Sequence, residues 1–420
     1  MFESIGIDSE HVEKPNGGRP PHLPVSSLIA GLAWHVLQPG GTLAYNVSML
    51  TGKRLSESAL SERRQSLGTK PWLAALGVFL QHCTDPLLHP HVFYKKFRLV
   101  GVDGTSFSVA NTPTIKATTR KTKSRRGKAA FFRIGCVAAV VLGTHRPLAV
   151  RIGEDGESEG ELASRIVDAF LENDLVIGDR YYGNGKWAVR FLTAPGSPSF
   201  MVRVQERLRA QKIQKLSDGS CLVNVINPDT GEDIILRQIK AKVRRHGCKW
   251  VKIRFWTNLL DHHIYPANEL IPLYAMRWEH EIAFREIKEY LHGENLLLSH
   301  TTITAAQEIC ALFMAQAVIA TVRSDAAGKY DIPVMQVSFS RTLDACRYLC
   351  WLLSLANDII TPEQILEIAD RAQQELVKQV SMPRRKRGCP RQVRQPVNKW
   401  PRLMKNSYVK GKFEYGIRKS

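Results

Sequence analysis

The chain has 420 residues, 44% of them hydrophobic, which is ordinary for a globular protein and enough for two or three domains with a sizeable core. Lys and Arg number 59 against 39 Asp and Glu, and the resulting +20 at neutral pH points to a polyanionic partner, most simply DNA. The cysteines, at 83, 136, 221, 248, 310, 346, 350 and 389, form neither a CxxC pair nor a zinc-finger spacing, no apolar run approaches the ~20 residues that cross a bilayer, and the N-terminus is too polar and acidic for a signal peptide; the cytoplasm is the expected compartment.

Residues 1–24 read as a mobile arm. From 25 to about 95 the pattern is helical. Ser27 is the expected cap of LIAGLAWHVL, which LQPGG stops. LSESALSERRQSLG is a short polar helix that Gly68 ends, and TKPWLAALGVFLQHC is a longer core helix. Short helices with a polar one suit a helix-turn-helix-like reader in which Arg63, Arg64 and Gln65 face a DNA groove. A helical cap on the following domain accounts for the pattern equally well.

At Phe97 the texture changes to strand. FRLVGVDGT is a β-branched run expected to end at Asp103 and a turn. IGCVAAVVLGTHRPLAVRIG gives two strands joined at Gly143 to Arg146, SEGELASRIVDAFL an amphipathic helix, DLVIGDRYYG a buried strand ending in Asp179, and NGKWAVRFLTA another helix. Three strands, a helix and a strand is the order of a ribonuclease-H-like α/β fold, assigned to residues 96–199 and 259–350. Residues 200–258 alternate apolar and polar positions between turns and form an expected all-β insertion. Trp250 and Trp256 within it are candidate wedges for a flipped base, with core packing as the default. NELIPLYAMRWEHEIAFREIKEYL follows as one long helix. Two strongly apolar helices, with buried thiols at Cys346 and Cys350, are expected to cover the sheet. C-terminal helices fill 351–380, and a basic, disordered tail 381–420.

The long helix carries the chemistry. Counted from Tyr274 at about 100° per residue, Arg277, Glu281, Arg285 and Lys288 fall within an arc of roughly 80°. Glu279, Glu286 and Glu289 fall off that arc, and Trp278 reads as core. One carboxylate among cations can share a divalent metal while its neighbours grip phosphate. In a ribonuclease-H-like sheet the strands of Asp103 and Asp179 are neighbours, and Glu281 approaches from the helix. Three converging carboxylates repel one another unless protons or cations lie between them, and oxygen-only ligands suit Mg²⁺ or Mn²⁺, two ions in the expected arrangement. Between Lys116 and Arg133 lie eight basic residues and no acid, including Arg125, Arg126 and Lys128, which are expected to line a DNA path.

The spacing Tyr274, Arg277, Glu281, Lys288, together with DGT at Asp103 and GDRYYGNGKW around Asp179, resembles the DDE transposases of the insertion-sequence-four family, over residues 25 to 350 or so. The resemblance implies an N-terminal domain that reads the element's ends and a homodimer on double-stranded DNA. It also implies cut-and-paste transposition: a nick, attack by the freed 3′-hydroxyl to give a hairpin, reopening by water, and joining to target DNA. Tyr274, Arg277 and Lys288, with Arg285 beside them, then hold the flanking phosphate. A nuclease of the same fold without strand transfer, and an inactive transposase-derived DNA-binding protein, are the competing readings.

Residues 381–420 hold thirteen Lys or Arg and one acid, Glu414, a net of +12. Each phosphate contact steepens the log–log salt dependence of duplex binding by about 0.9. Truncation after Gln379 is therefore expected to flatten that slope and to weaken end and random duplexes alike, as a salt titration of the two proteins measures; equal slopes would remove the tail from the backbone contacts.

Overall fold

The computed structural model describes residues 23–380 except 39, 82–86, 88, 120–122, 125–126, 154–155, 244–249, 294–295, 357–358 and 379. The arm to residue 22, the tail from 381, Arg125 and Arg126 lie outside the described residues, as does the side chain of Lys128.

Four helices open the chain: α1 (Val25–Leu37), α2 (Leu43–Thr51), α3 (Glu57–Leu67) and α4 (Lys70–Leu80). Ser27 does not cap α1. The helix starts three residues earlier, at Val25 after Pro24, whose fixed φ of −58° suits that position. Thr42 and Ser56 do cap α2 and α3 by accepting from the Tyr45 and Ala59 amides, and Gly52 and Gly68, both at positive φ, close those helices.

The strand region runs β1 (Phe93–Tyr94), β2 (Phe97–Val109), helix α5 (Pro113–Thr118), the small hairpin β3 (Lys123–Ser124) and β4 (Gly127–Lys128), β5 (Phe132–Val141), β6 (Arg146–Ile152), α6 (Glu159–Ile166), β7 (Asp174–Gly178), α7 (Gly185–Leu192) and β8 (Ser199–Arg203). A reciprocal Ser158–Glu161 capping box starts α6, and Asn184 caps α7. The strands lie in the order β6-β5-β2-β7-β8; β6, β5 and β2 are antiparallel neighbours, and β7 and β8 run parallel to β2.

Two expectations are corrected here. β2 does not turn at Asp103 but continues six residues further, because Gly104 to Val109 go on pairing with β5. The FMVRVQ run, grouped with the insertion in the sequence reading, supplies β8. Strands β9 (Gln211–Lys215), β10 (Cys221–Ile226), β11 (Asp233–Val243) and β12 (Val251–Thr257) extend the same sheet, with β12 antiparallel to β8.

The long helix is broken in three. Helix α8 (Ala267–Ala275) ends at Met276, α9 (Arg277–Arg285) follows, and Glu286–Leu291 is a π-helical turn. Then come α10 (Thr302–Lys329), α11 (Phe339–Ala356) and α12 (Pro362–Lys378). By length and composition α10 is apolar enough to cross a membrane, contrary to the sequence reading; 89% of its most apolar window is buried, which is the placement of a core helix. It packs against β6, α4 and α1, so the N-terminal helices and one face of the sheet share a single apolar core. Helices α6 and α7 cover the other face. Helix α11 was expected on the sheet; it packs instead against α10, α12 and α2 and leaves Tyr348 74% exposed.

The shared core also corrects Arg64. Its guanidinium is buried, donating to Gln307 Oε1 (3.0 Å), Ser299 Oγ (3.2 Å) and the Thr304 carbonyl (2.7 Å), so it ties α3 to α10 and faces no groove. Neighbouring Arg63 donates to the Leu23 carbonyl, and exposed Gln65 accepts from Thr301. Arg64→Ala strands three buried acceptors and is expected to cost about 2–4 kcal/mol of stability, read as a lower thermal midpoint. An unchanged midpoint with weakened DNA binding would restore the groove-reading role.

Candidate active site

The parallel ladder between β2 and β7 ends with Val102 opposite Gly178. The next residue on each strand is an aspartate, so Asp103 and Asp179 emerge side by side where the backbone pairing stops. Each is held by its own chain: Asp103 Oδ1 accepts the Gly104 amide at 2.9 Å, and Asp179 Oδ1 the Tyr181 amide at 2.7 Å. Burial, then the Asp179 charge, pushes the Asp103 carboxyl up to about 7.

The signature helices cross this point on one side of the sheet. Gly101, two residues before Asp103, has no room for a Cβ because Leu142 and His280 of α9 sit against it. Buried His280 donates to the Ala138 carbonyl at 3.0 Å and pins α9 to β5. Its imidazole falls to about 4 through burial, so it stays neutral.

Tyr274, Arg277 and Lys288 lie within electrostatic range of the aspartates. Tyr274 is buried against Phe255, and its hydroxyl feels Arg277, Arg203 and Asp179. Arg277 donates to Glu281 Oε1 at 2.8 Å; burial works against its charge, but Glu281, Tyr274 and Asp103 hold it above its ordinary value. Burial and Arg133 lower the Lys288 ammonium, which lies 5.5 Å over the Phe107 ring within range of Asp103. Arg285 is not part of this group. It pairs with Glu289 at 3.9 Å across the π turn.

The competing carboxylates are used structurally. Glu279 accepts the Gly143 amide, and buried Glu286 is held by His145 (2.8 Å), Gln316 (3.1 Å) and Arg323 (3.2 Å). Among the described residues Glu281 has no such anchor beyond Arg277, and its side chain is 41% exposed. No three His, Cys, Asp or Glu side chains stand in a metal-holding array among the described residues.

Two tryptophans depart from the sequence reading. Trp278, expected in the core, is 51% exposed with the Arg277 guanidinium over its ring. Trp256 is core, donating to Gln238, and Trp250 is exposed. Sequence reasoning missed Arg180 and Arg203, both within range of Tyr274. Arg203 opens a groove of about 580 Å³ along β11 and β12, where Lys240, Lys242, Lys252 and Arg254 outnumber Glu206. Arg180, directly after Asp179, was the legible signal; Arg203 carried none.

A family model described as the transposase DDE domain matches residues 95–317, just over half the chain and the whole span of these residues. The chain is 26% identical over 387 residues to "Transposase InsG for insertion sequence element IS4" of Escherichia coli (strain K12), covering 86% of this chain and 81% of that protein. It belongs to the DDE transposases of the insertion-sequence-four family. Among solved structures it is similar to the piggyBac transposase synaptic complex with hairpin DNA, with a TM-score of 0.46 and 8% identity over 95% of this chain and 83% of that one.

A carboxyl raised in the folded state binds more protons folded than unfolded, so it lowers stability as pH rises from about 4 to about 7 and no further above that. Asp103→Asn is therefore expected to stabilise the metal-free protein at about pH 8, by at most about 4 kcal/mol, and to matter little near pH 4. Thermal unfolding in chelator at the two pH values measures this. A gain that is the same at both would remove the raised Asp103 carboxyl from the explanation.

Proposed function

We propose that the protein is a cut-and-paste transposase in which Asp103, Asp179 and Glu281 hold divalent metal at the ends of an insertion sequence. The observation that carries this reading is the register of β2 and β7, which places two carboxylates together with Arg277 and Lys288 within range. We infer a ribonuclease-H-like core from strand order β6-β5-β2-β7-β8, with the β9–β12 segment as the insertion and α1–α4 as the end-reading domain.

The donor set fits a hard cation. All three groups are carboxylates, Asp103 and Asp179 repel one another without a positive charge between them, and Glu281 is partly exposed with Arg277 as its ion-pair partner, which a cation can replace. When bound, Mg²⁺ or Mn²⁺, as two ions, supplies the charge that activates a water or 3′-hydroxyl and stabilises the leaving oxygen. The protein's own part is positioning. Arg277, freed by Glu281, and Lys288 bind the phosphate beside the cut, and Tyr274 orients Arg277. A desolvated Lys288 and a buried Tyr274 keep water from the reacting phosphate. Water cuts one strand at the element's end, the freed 3′-hydroxyl attacks the opposite phosphodiester and displaces the flanking 3′-oxygen to give a hairpin, water reopens the hairpin, and each regenerated 3′-hydroxyl attacks a target phosphodiester and displaces a target 3′-oxygen. Two ends require two subunits, so a homodimer acts on double-stranded DNA, in the cytoplasm and at the nucleoid.

Incubating the protein with its own flanking ends and Mg²⁺ tests the reading. Joined products establish transposition, whereas cleavage without joining would leave a nuclease. Ala at Asp103, Asp179 or Glu281 is expected to abolish cleavage with end binding retained; wild-type cleavage by any of the three removes that residue from the site. Arg277→Ala is expected to nick but to form hairpins about 10²-fold more slowly.

A further inference from the structure

Three acids crowd the start of α6, and two are spent locally. Glu157 pairs with Arg165 at 2.5 Å, and Glu161 closes the capping box with Ser158. Glu159, the first residue of α6, has no ion-pair partner among the described residues and turns toward the sheet instead. Its side chain lies over the bare Cα of Gly104: a Cβ there would stand 2.7 Å from both Glu159 Cγ and Oε1. Glycine next to Asp103 thus opens the space that Glu159 occupies. The carboxylates whose charge Asp103 feels most are Asp179 and then Glu159. Tyr182, in the apolar cluster under α6, is 1% exposed, and its hydroxyl has no hydrogen-bond partner among the described residues. The charges that hydroxyl feels are Glu159, Asp103 and Asp179, in that order.

We propose that Glu159 is a further carboxylate of the cation site formed with Asp103 and Asp179, on the α6 side of the sheet. The inference rests on the metal-holding role of the two aspartates. A third carboxylate without a cationic partner is unfavourable beside two others unless a cation joins them. The unsatisfied Tyr182 hydroxyl is a second, independent sign of a missing occupant, because a buried donor is normally paired with protein, water or ligand. Glu281 approaches from α9, on the other side of the aspartates, and is tied to Arg277. Glu159 therefore supplies charge to the cation before Glu281 swings in, so the site loads metal ahead of DNA.

Mn²⁺ binding to the full-length protein without DNA, followed by electron paramagnetic resonance, tests this on wild type, Glu159→Gln, Asp103→Asn and Asp179→Asn. Glu159→Gln keeps the size of the side chain, and its thermal midpoint in chelator confirms folding. The expected result is a tenfold or greater loss of Mn²⁺ affinity in Glu159→Gln, together with a matching rise in the Mg²⁺ concentration that half-saturates cleavage. Unchanged Mn²⁺ affinity in Glu159→Gln, with loss in both aspartate variants, would overturn the role of Glu159 and leave the aspartate site standing. Unchanged affinity in all three would overturn the aspartate site as well.

Discussion

The parallel pairing of β2 with β7 is the constraint on which the rest of the site depends. A parallel ladder fixes which residues stand side by side without any side chain taking part. Here it stops one residue short of two aspartates, and because β7 ends there while β2 runs on beside β5, the side of Asp103 that faces β7 is left open next to Asp179. Moving β7 by one residue would turn Asp179 to the opposite face. The burial of Leu175 and Ile177 on one side of the sheet and Val176 on the other prevents such a slip. Hydrophobic alternation along five residues therefore sets the distance between two charges.

A second, polar constraint holds α9 against that edge. Glu286 is buried, yet its carboxyl stays below the usual range; burial alone would raise it, and His145, Arg323 and Gln316 overcome that. Arg323 also donates to the Val337 carbonyl at 2.7 Å, which ties α10 to the segment before α11. Removing one member of such a buried group leaves an uncompensated charge, typically a loss of about 3–5 kcal/mol. The network lies directly behind the π turn, and it fixes the side of the helix from which Lys288 projects.

How much of this was legible in the sequence differs by residue. Asp103 and Asp179 were readable because each follows a short apolar run, and strand neighbours follow from the order of elements. The grouping of Tyr274, Arg277 and Lys288 was readable from a helical wheel, but the same wheel wrongly admitted Arg285. A wheel assumes an unbroken α-helix, whereas this segment breaks at Met276 and widens after Arg285. Arg64 was misread because its acceptors lie 235 to 243 residues away, beyond the reach of any local pattern. Trp278 was misread as core because apolar character alone does not distinguish an aromatic packed inside from one lying under a guanidinium. Glu159 was overlooked because acids at a helix start are ordinary partners of the helix dipole, and only the space above Gly104 singles it out.

The continuous sheet has a further consequence for how this chain can be altered. Strand β12 joins β8 through three residue pairs, Phe255 with Arg203, Trp256 with Val202 and Thr257 with Met201, and buried Trp256 belongs to the same apolar cluster as Val176 and Phe200. The β9–β12 segment is thus not an appendage on flexible stalks but a prolongation of the strands that carry Asp179. A graft of this segment from a relative would succeed only if it preserved the seam, meaning both the three-residue ladder and the tryptophan beneath it. Conversely, a displacement of β12 reaches the end of β7 through two hydrogen-bonded strand boundaries, β12 with β8 and β8 with β7, so the position of this segment and the spacing of the carboxylates are mechanically coupled.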